Sequence, residues 1–496
     1  MTPYVGVKYG WILLPALLAI GVAVGCSHYE LGSGASTYSP LSDPDYMATV
    51  KVGNSAGIKI SPTFMGLSHE WGRAQAMMGS SATGVNTIYR TLLTNLTAYG
   101  SEPVVIRIGG DLTDFTGQPS SNVVRPFAEL AEALGNHFYL GVNLGKGDVQ
   151  LATEQAKAYL SQMPSGYLDA IEIGNEPDNY RHSGARPESY DFDAYLNEFA
   201  LWRGRISPLL PAGTKLIGPS WAAIMPIGDV NQFDAKEQST LYAFTQHFYA
   251  GCACNGYHNP SDFLLRDDNT RWEPSFVAPA VAASHRCGIG YRLDEMNSLC
   301  CSGQRGLSDS FSASLWAIDT MFELANIGVD GVNWHNGNET DPYDLFVFAA
   351  TRTDRTFTYS LHRVNPLYYG LLFFQAATST NSHLLHVNVD TNANMKAWAT
   401  ADDSGKTRLV LINKDRTATG RIKISIPGYT AAAILRLSAP SYLSTTGVTF
   451  AGQTFDGSTD GKIRGTQTVE TVNATNGIFV VEMPPTGAAL INFSNQ

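Results

Sequence analysis

Two glutamates draw attention by their neighbours. Glu176 lies in Ile173-Gly174-Asn175-Glu176-Pro177, and Glu295 lies in Leu293-Asp294-Glu295-Met296-Asn297. Each ends a short apolar run, where a strand gives way to a loop. Two carboxyls at facing strand ends suit cleavage of a glycosidic bond. One protonates the leaving oxygen and the other attacks the anomeric carbon. At a spacing of about 5–5.5 Å such a pair retains configuration through a covalent glycosyl-enzyme. The expected roles are Glu176 as acid/base and Glu295 as nucleophile. The charge on Glu295 is expected to raise the pKa of Glu176, so that it stays protonated before reaction. The plainer reading of a Glu-Pro after an apolar strand is a simple strand exit.

Other strand ends supply supporting groups. Asn175 is placed to donate to a sugar hydroxyl, and Tyr249 to hold the nucleophile ionised. His247 and His335 are expected as orienting hydrogen-bonders. Glu70 and Asp111 either bind sugar hydroxyls or cap loops. Trp221 and Trp334 are candidate sugar-stacking platforms, with core packing as the alternative. Glu172 and Asp294 are set aside as neighbours of the candidates, with Glu172 lying deeper as a barrel-interior or loop partner.

The elements that must position these groups follow from the pattern. Eight short apolar runs alternate with helical stretches: 63–68 (TFMGLS), 104–108 (VVIRI), 138–143 (FYLGVN), 170–173 (AIEI), 215–218 (KLIG), 243–248 (AFTQHF), 290–294 (GYRLD) and 331–334 (GVNW). Helical periods fall at 124–134, 153–160, 192–206 and 310–325. Eight βα units imply an α/β fold, a (β/α)8 TIM barrel over 61–380, whose chemistry sits at the C-terminal ends of its strands. From 381 to 496 the chain reads as short alternating strands, a β-sandwich. The run 46–60 is strand-like and is expected to join that sandwich.

Composition narrows the class. Of 496 residues, 33 are Lys or Arg and 44 are Asp or Glu, a net charge of −11. Without a basic excess, a nucleic-acid partner is not expected. Aromatics at 11% and a 44% apolar set exclude disorder, and unperiodic Gly and Pro exclude a fibre.

Residues 9–25 (YGWILLPALLAIGVAVG) are short for a membrane span and suit a signal h-region. A signal over 1–26 implies an exported protein, secreted, periplasmic or surface-anchored. The cut is either that of an ordinary secretory signal or a lipoprotein cleavage that would lipidate Cys26, the one expected route to a membrane. Residues 27–45 read as a linker. Five further cysteines, Cys252, Cys254, Cys287, Cys300 and Cys301, lie within fifty residues. They predict one or two local disulfides and a leftover thiol, with a zinc site as the sharper alternative. No metal and no organic cofactor is expected, because two carboxylates supply the chemistry.

The chain resembles the retaining glycosidases of clan A in Gly174-Asn175-Glu176-Pro177 with Glu295. It is more closely similar to glycoside hydrolase family 79, the β-glucuronidases and heparanases. The matching pieces are Gly66-Leu67-Ser68-His69-Glu70, Arg107-Ile108-Gly109-Gly110, His247-Phe248-Tyr249, Glu295-Met296-Asn297-Ser298 and Val332-Asn333-Trp334-His335. The resemblance implies a uronic-acid glycoside or glycan as substrate. It also implies that the uronate carboxylate is held by a tyrosine and backbone amides after strand seven, and by a tyrosine after strand eight. Here Cys300 stands where the first tyrosine is expected. Tyr343 supplies the second, but Glu339, Asp341 and Asp344 surround it, and unpaired acids oppose a carboxylate. Arg292 and Arg305 are the cations within reach in sequence. Another clan A specificity, neutral or endo-acting, and a carbohydrate-binding surface lipoprotein without turnover stand as alternatives.

Overall fold

The computed structural model describes residues 43–495, apart from 82, 116, 118–120, 338–340, 354–355 and 380. The expected signal, Cys26 and most of the linker lie outside the described residues, as does Glu339.

Eight parallel strands close a barrel: Met65–Glu70, Val105–Gly109, Phe138–Val142, Leu168–Ile173, Lys215–Trp221, Leu241–Cys252, Gly290–Cys300 and Gly331–Asn336. Their near-continuous apolar runs follow from burial on both faces, inside the barrel and under its helices. Each overlaps its sequence-derived run. Helices Val149–Leu160 and Phe192–Ile206 start on Asp148 and Asp191, whose carboxylates accept backbone N–H groups of the first turn.

Two helices differ in kind from the rest. Phe311–Asn326 and Pro366–Ala377 are buried nearly all round. They lie between the barrel and the C-terminal sheet, which is why neither has a polar face. The same layer joins the domains. Trp398 of the sheet stacks on Phe322 and donates from Nε1 to Asp319 at 2.9 Å. Buried Lys414 reaches the same carboxylate at 2.7 Å.

The C-terminal domain is one continuous ten-stranded sheet that curls so that all its long strands share a core around Leu409, Ile424, Phe479 and Ile491. Tyr46–Lys59 lies inside it, parallel to Gly420–Ser425 and antiparallel to His383–Asp390. The hairpin Phe346–Thr353 with Thr356–Val364 was not expected, and helices Thr87–Leu96, Ile227–Glu237, Asp267–Arg286 and Pro366–Ala377 were not among the helical stretches read from the sequence. Helix Asp267–Arg286 contains Pro274 and Pro279, residues that normally argue against a helix interior.

Candidate active site

Strand seven carries an irregularity where the chemistry is needed. Leu293 pairs with Gln246 of strand six and Glu295 pairs with the next residue, His247, so Asp294 is an extra residue. Such a bulge re-aims the side chains around it. Asp294 turns into the wall and accepts from Ser220 Oγ at 2.7 Å. Glu295 turns to the barrel mouth beside His247.

Glu176 reaches the mouth by a different device. Gly174 has φ +76°, where a side chain would strike Leu144, and Glu176 itself is left-handed at φ 47°. A non-glycine residue in that region is held there by its surroundings. Here its N–H donates to Ser220 O at 2.9 Å, and Asn179 donates to its Oε2 at 2.8 Å. One oxygen of Glu176, one of Glu295 and a nitrogen of His247 all lie within 4.8 Å of one another. That closeness belongs to a retaining pair. An inverting pair stands roughly 6.5–9.5 Å apart to admit water between.

Arg107 organises the floor and was not among the expected site residues. Fully buried, it donates through Nε and Nη2 to both oxygens of Glu172 at 2.7 and 2.6 Å. Its Nη1 donates to Glu295 Oε2 at 2.7 Å, and Nη2 donates to Asn175 Oδ1 at 2.8 Å. Glu172 is therefore a barrel-interior partner. Asn175 is spanned by Arg107 on one side and donates to Asp111 at 3.1 Å on the other. Asp114, also unanticipated, accepts from the backbone of Leu144 and Gly145 and from Tyr180 Oη, which fixes the loop below Asn175.

The electrostatics separate the groups. Burial alone would raise the pKa of Glu295. His335, His247, Arg107 and the Tyr249 hydroxyl, which donates at 2.8 Å, instead bring it below the ordinary carboxylate value. His335 is itself lowered by burial, so the cations that keep Glu295 ionised are Arg107 and His247. Burial alone would lower His247, but Glu295, the hydrogen bond to Glu176 and Asp294 raise it to about 10. Burial, with Glu295 nearby, pushes Glu70 up to about 8. Burial, with Glu176 and Glu295, pushes Asp111 up to about 6.

A cleft of about 580 Å³ opens over these groups. Glu70, Asp111, Glu176, His247, Tyr249, Glu295, His335 and Tyr343 all line it. Glu70 lines the cleft and also caps a loop, accepting the backbone N–H of Asp111 and Leu112. Trp221 does not line the cleft. The register shifts between Pro219 and Trp221, and the indole packs edge-on against Tyr195 at 5.3 Å. Trp334 is fully buried against Trp316. Trp272, missed in the sequence, lines the cleft instead.

The acids around Tyr343 are less opposed to a carboxylate than their number implied. Asp344 is buried and accepts from the backbone of Gly337 and Asp341. Neither expected arginine compensates. Arg292 is buried low in the barrel on Asn333, and Arg305 is exposed beside Asp309. Cys252–Cys300 and Cys254–Cys301 are disulfides, and Cys287 is a free thiol. The sulfurs of the proposed zinc alternative are thus spent on covalent pairs. The two bridges tie the ends of strands six and seven beside a turn in which Cys301, Ser302 and Gly303 all have positive φ. A Cβ on Gly303 would stand 3.1 Å from the Tyr343 backbone nitrogen, so this turn packs directly on Tyr343.

Residues 397–490 match the family model for the glycosyl hydrolase family 79 C-terminal beta domain. A β-glucuronidase of Aspergillus niger is 27% identical over 408 residues, covering 72% of this chain and 73% of the relative. A β-glucuronidase of Neurospora crassa is 24% identical over 413 residues, covering 69% and 71%. Among solved structures, a 4-O-α-L-rhamnosyl-β-D-glucuronidase from Fusarium oxysporum 12S superposes with a TM-score of 0.75 at 20% identity, over 90% of this chain and all of that one. A family 51 arabinofuranosidase from Xanthomonas axonopodis pv. citri shares the fold at a TM-score of 0.67 and 11% identity, over 91% of this chain and all of that one. The C-terminal β domain thus matches that of glycoside hydrolase family 79, and the chain is similar over about 70% of its length to two β-glucuronidases.

Proposed function

We propose that the protein is a retaining β-glucuronidase. The observation that carries the mechanism is the closeness of Glu176, Glu295 and His247, all within 4.8 Å. Glu295, held ionised by Arg107, His247 and Tyr249, attacks the anomeric carbon. Glu176 gives its proton to the departing oxygen. The glycosyl-enzyme ester is then cleaved by water, whose proton returns to Glu176, and Glu295 is released. Glu70, Asp111 and His335 line the cleft and are placed to bind sugar hydroxyls, while Asn175, expected to do so, is held behind them between Arg107 and Asp111. The rigid floor built on Arg107 fixes the nucleophile before substrate arrives.

The uronate reading is supported by Tyr343 and the turn 301–303, which meet on one side of the cleft. Tyr343 offers a phenol, and Cys301 and Ser302 line the same cleft, so a carboxylate would be received here without a full counter-charge. The two β-glucuronidase relatives support the same sugar. The two disulfides support export to an oxidising compartment. N-terminal sequencing and mass analysis of the mature protein test the cleavage site and the lipid at Cys26. A panel of nitrophenyl β-glycosides tests the activity, with the glucuronide expected to be turned over fastest. A faster glucoside or xyloside would overturn the uronate reading, and no turnover of any would leave a carbohydrate-binding protein.

A further inference from the structure

The cleft has two unlike walls. The acidic wall belongs to strands one, two, four and seven. The other wall, carried by strands five and six between strands four and seven, is apolar, made by Ala222, Ala223 and Ile224 after strand five, Phe248 of strand six, and Trp272 of helix Asp267–Arg286. This apolar wall is tied to Glu176. Asp178, two residues on, accepts the backbone N–H of Ala222 at 2.9 Å and of Ala223 at 3.0 Å. With Glu176 as the proton donor, the departing group leaves past this wall.

The wall is open in a way that ordinary packing does not explain. Trp272 is 45% exposed and Ile224 37%, with Phe276 behind Trp272 at 43%. Exposed apolar side chains such as Trp272 and Ile224, both lining one cleft, mark a binding surface. Trp272 is also held rather than loose: Phe248 and Phe276 meet it edge to face, at ring distances of 5.5 and 4.9 Å. Among the described residues lining the cleft there is no Lys or Arg. The neighbouring Arg271 turns to Asp267 at 3.0 Å, away from the cleft. An acidic or sulfated sugar in the leaving-group position would meet no Lys or Arg here, since the cationic His247 is engaged by Glu176 and Glu295, and it would face the carboxylates of the other wall.

We propose that Trp272, Phe248 and Ile224 form a leaving-group subsite for an uncharged aromatic aglycone, so that the preferred substrate is an aryl or polycyclic conjugate rather than an acidic polysaccharide. This rests on the assignment of Glu176 as proton donor. An aromatic ring fits because it can stack on the indole or meet it at its edge, and because its transfer from water is itself favourable.

The test compares kcat/KM for 2-naphthyl and methyl β-glucuronide. Taking the ratio within each variant cancels the difference between the two leaving groups. Trp272→Ala is expected to lower the naphthyl-to-methyl ratio by about tenfold or more. Ile224→Asn, on a separate element, is expected to lower it by about threefold. A ratio within about twofold of the wild type in both variants would overturn the subsite. An equal loss by Trp272→Ala on a glucuronyl disaccharide ending in a uronate would overturn the preference for an aromatic group. If the wild type favours a sugar other than glucuronate, the same ratio is measured on the naphthyl and methyl glycosides of that sugar. Failure of the uronate reading is then separate from failure of the aglycone subsite.

Discussion

His247 places Nδ1 2.9 Å from Glu176 Oε1, and the same nitrogen stands 3.9 Å from Glu295 Oε1. One buried imidazole thus serves both carboxyls. With its pKa raised to about 10, it is cationic at neutral pH and favours the ionised form of Glu295. His247→Gln removes that charge, so the pKa of Glu295 should rise. The acidic limb of the kcat/KM profile should move up by about one pH unit or more. A limb that stays in place would remove His247 from the electrostatics of the nucleophile.

The two glutamates should fail differently. Glu295→Ala should lower kcat by roughly a thousandfold or more. Azide should partly rescue it and yield a glycosyl azide of inverted configuration. Glu176→Ala should cost far more on substrates with poor leaving groups than on activated ones, since only the former need the proton. Near-wild-type rates in both variants would sink the assignment.

Arg107 is buried, paired with Glu172 and joined to Glu295. Arg107→Met leaves Glu172 buried without its partner, a loss of roughly 3–5 kcal/mol. Urea unfolding should show the drop in midpoint, and Arg107→Lys should recover only part of it because Lys lacks the two-pronged donor.

Glu70 makes stability depend on pH. Its folded pKa of about 8 lies above the ordinary 4.5. The folded state therefore holds the proton more tightly than the unfolded chain. Its favourable contribution is complete below 4.5 and is lost as pH rises through 8. Glu70→Gln cannot ionise, so its melting temperature should gain on the wild type steadily between those pH values. A constant difference would show that Glu70 is not protonated in the fold.

Alkylation of the denatured, unreduced protein should label Cys287 and leave Cys252, Cys254, Cys300 and Cys301 unlabelled. Peptide mapping reads this directly. Reduction should raise KM for the glucuronide more than it lowers kcat, because the bridges pin the turn 301–303 and not the glutamates.

Much of the site was legible because it sits at strand ends, and strand periodicity found all eight. Glu176 and Glu295 meet, and Tyr249 donates to Glu295 as expected. Other features were hidden for specific reasons. The bulge at Asp294 breaks alternation, so period-two reasoning alone could not assign Asp294 to the wall and Glu295 to the mouth. Arg107 stands in a matching motif, but its role depends on three partners from distant parts of the chain, Glu172, Asn175 and Glu295. Its signal was an arginine inside an apolar barrel strand, where only a paired cation can be buried. The Trp221 reading failed because residue type carries no direction. Trp272 was missed because Pro274 and Pro279 obscure the helix that presents it.

The placement of Tyr46–Lys59 between Gly420–Ser425 and His383–Asp390 bears on how the protein is made. The strand leaves the ribosome before any of the barrel, yet its partners emerge only after the barrel is complete. Over that interval its edges are unpaired, because the strands that flank it in the C-terminal sheet have not yet been made. The sheet is therefore closed late, by contacts of long sequence separation, which are the slow ones to form. The barrel is folded between two segments that must find each other, and a chain trimmed beyond Tyr46 at its start would be damaged most at its far end.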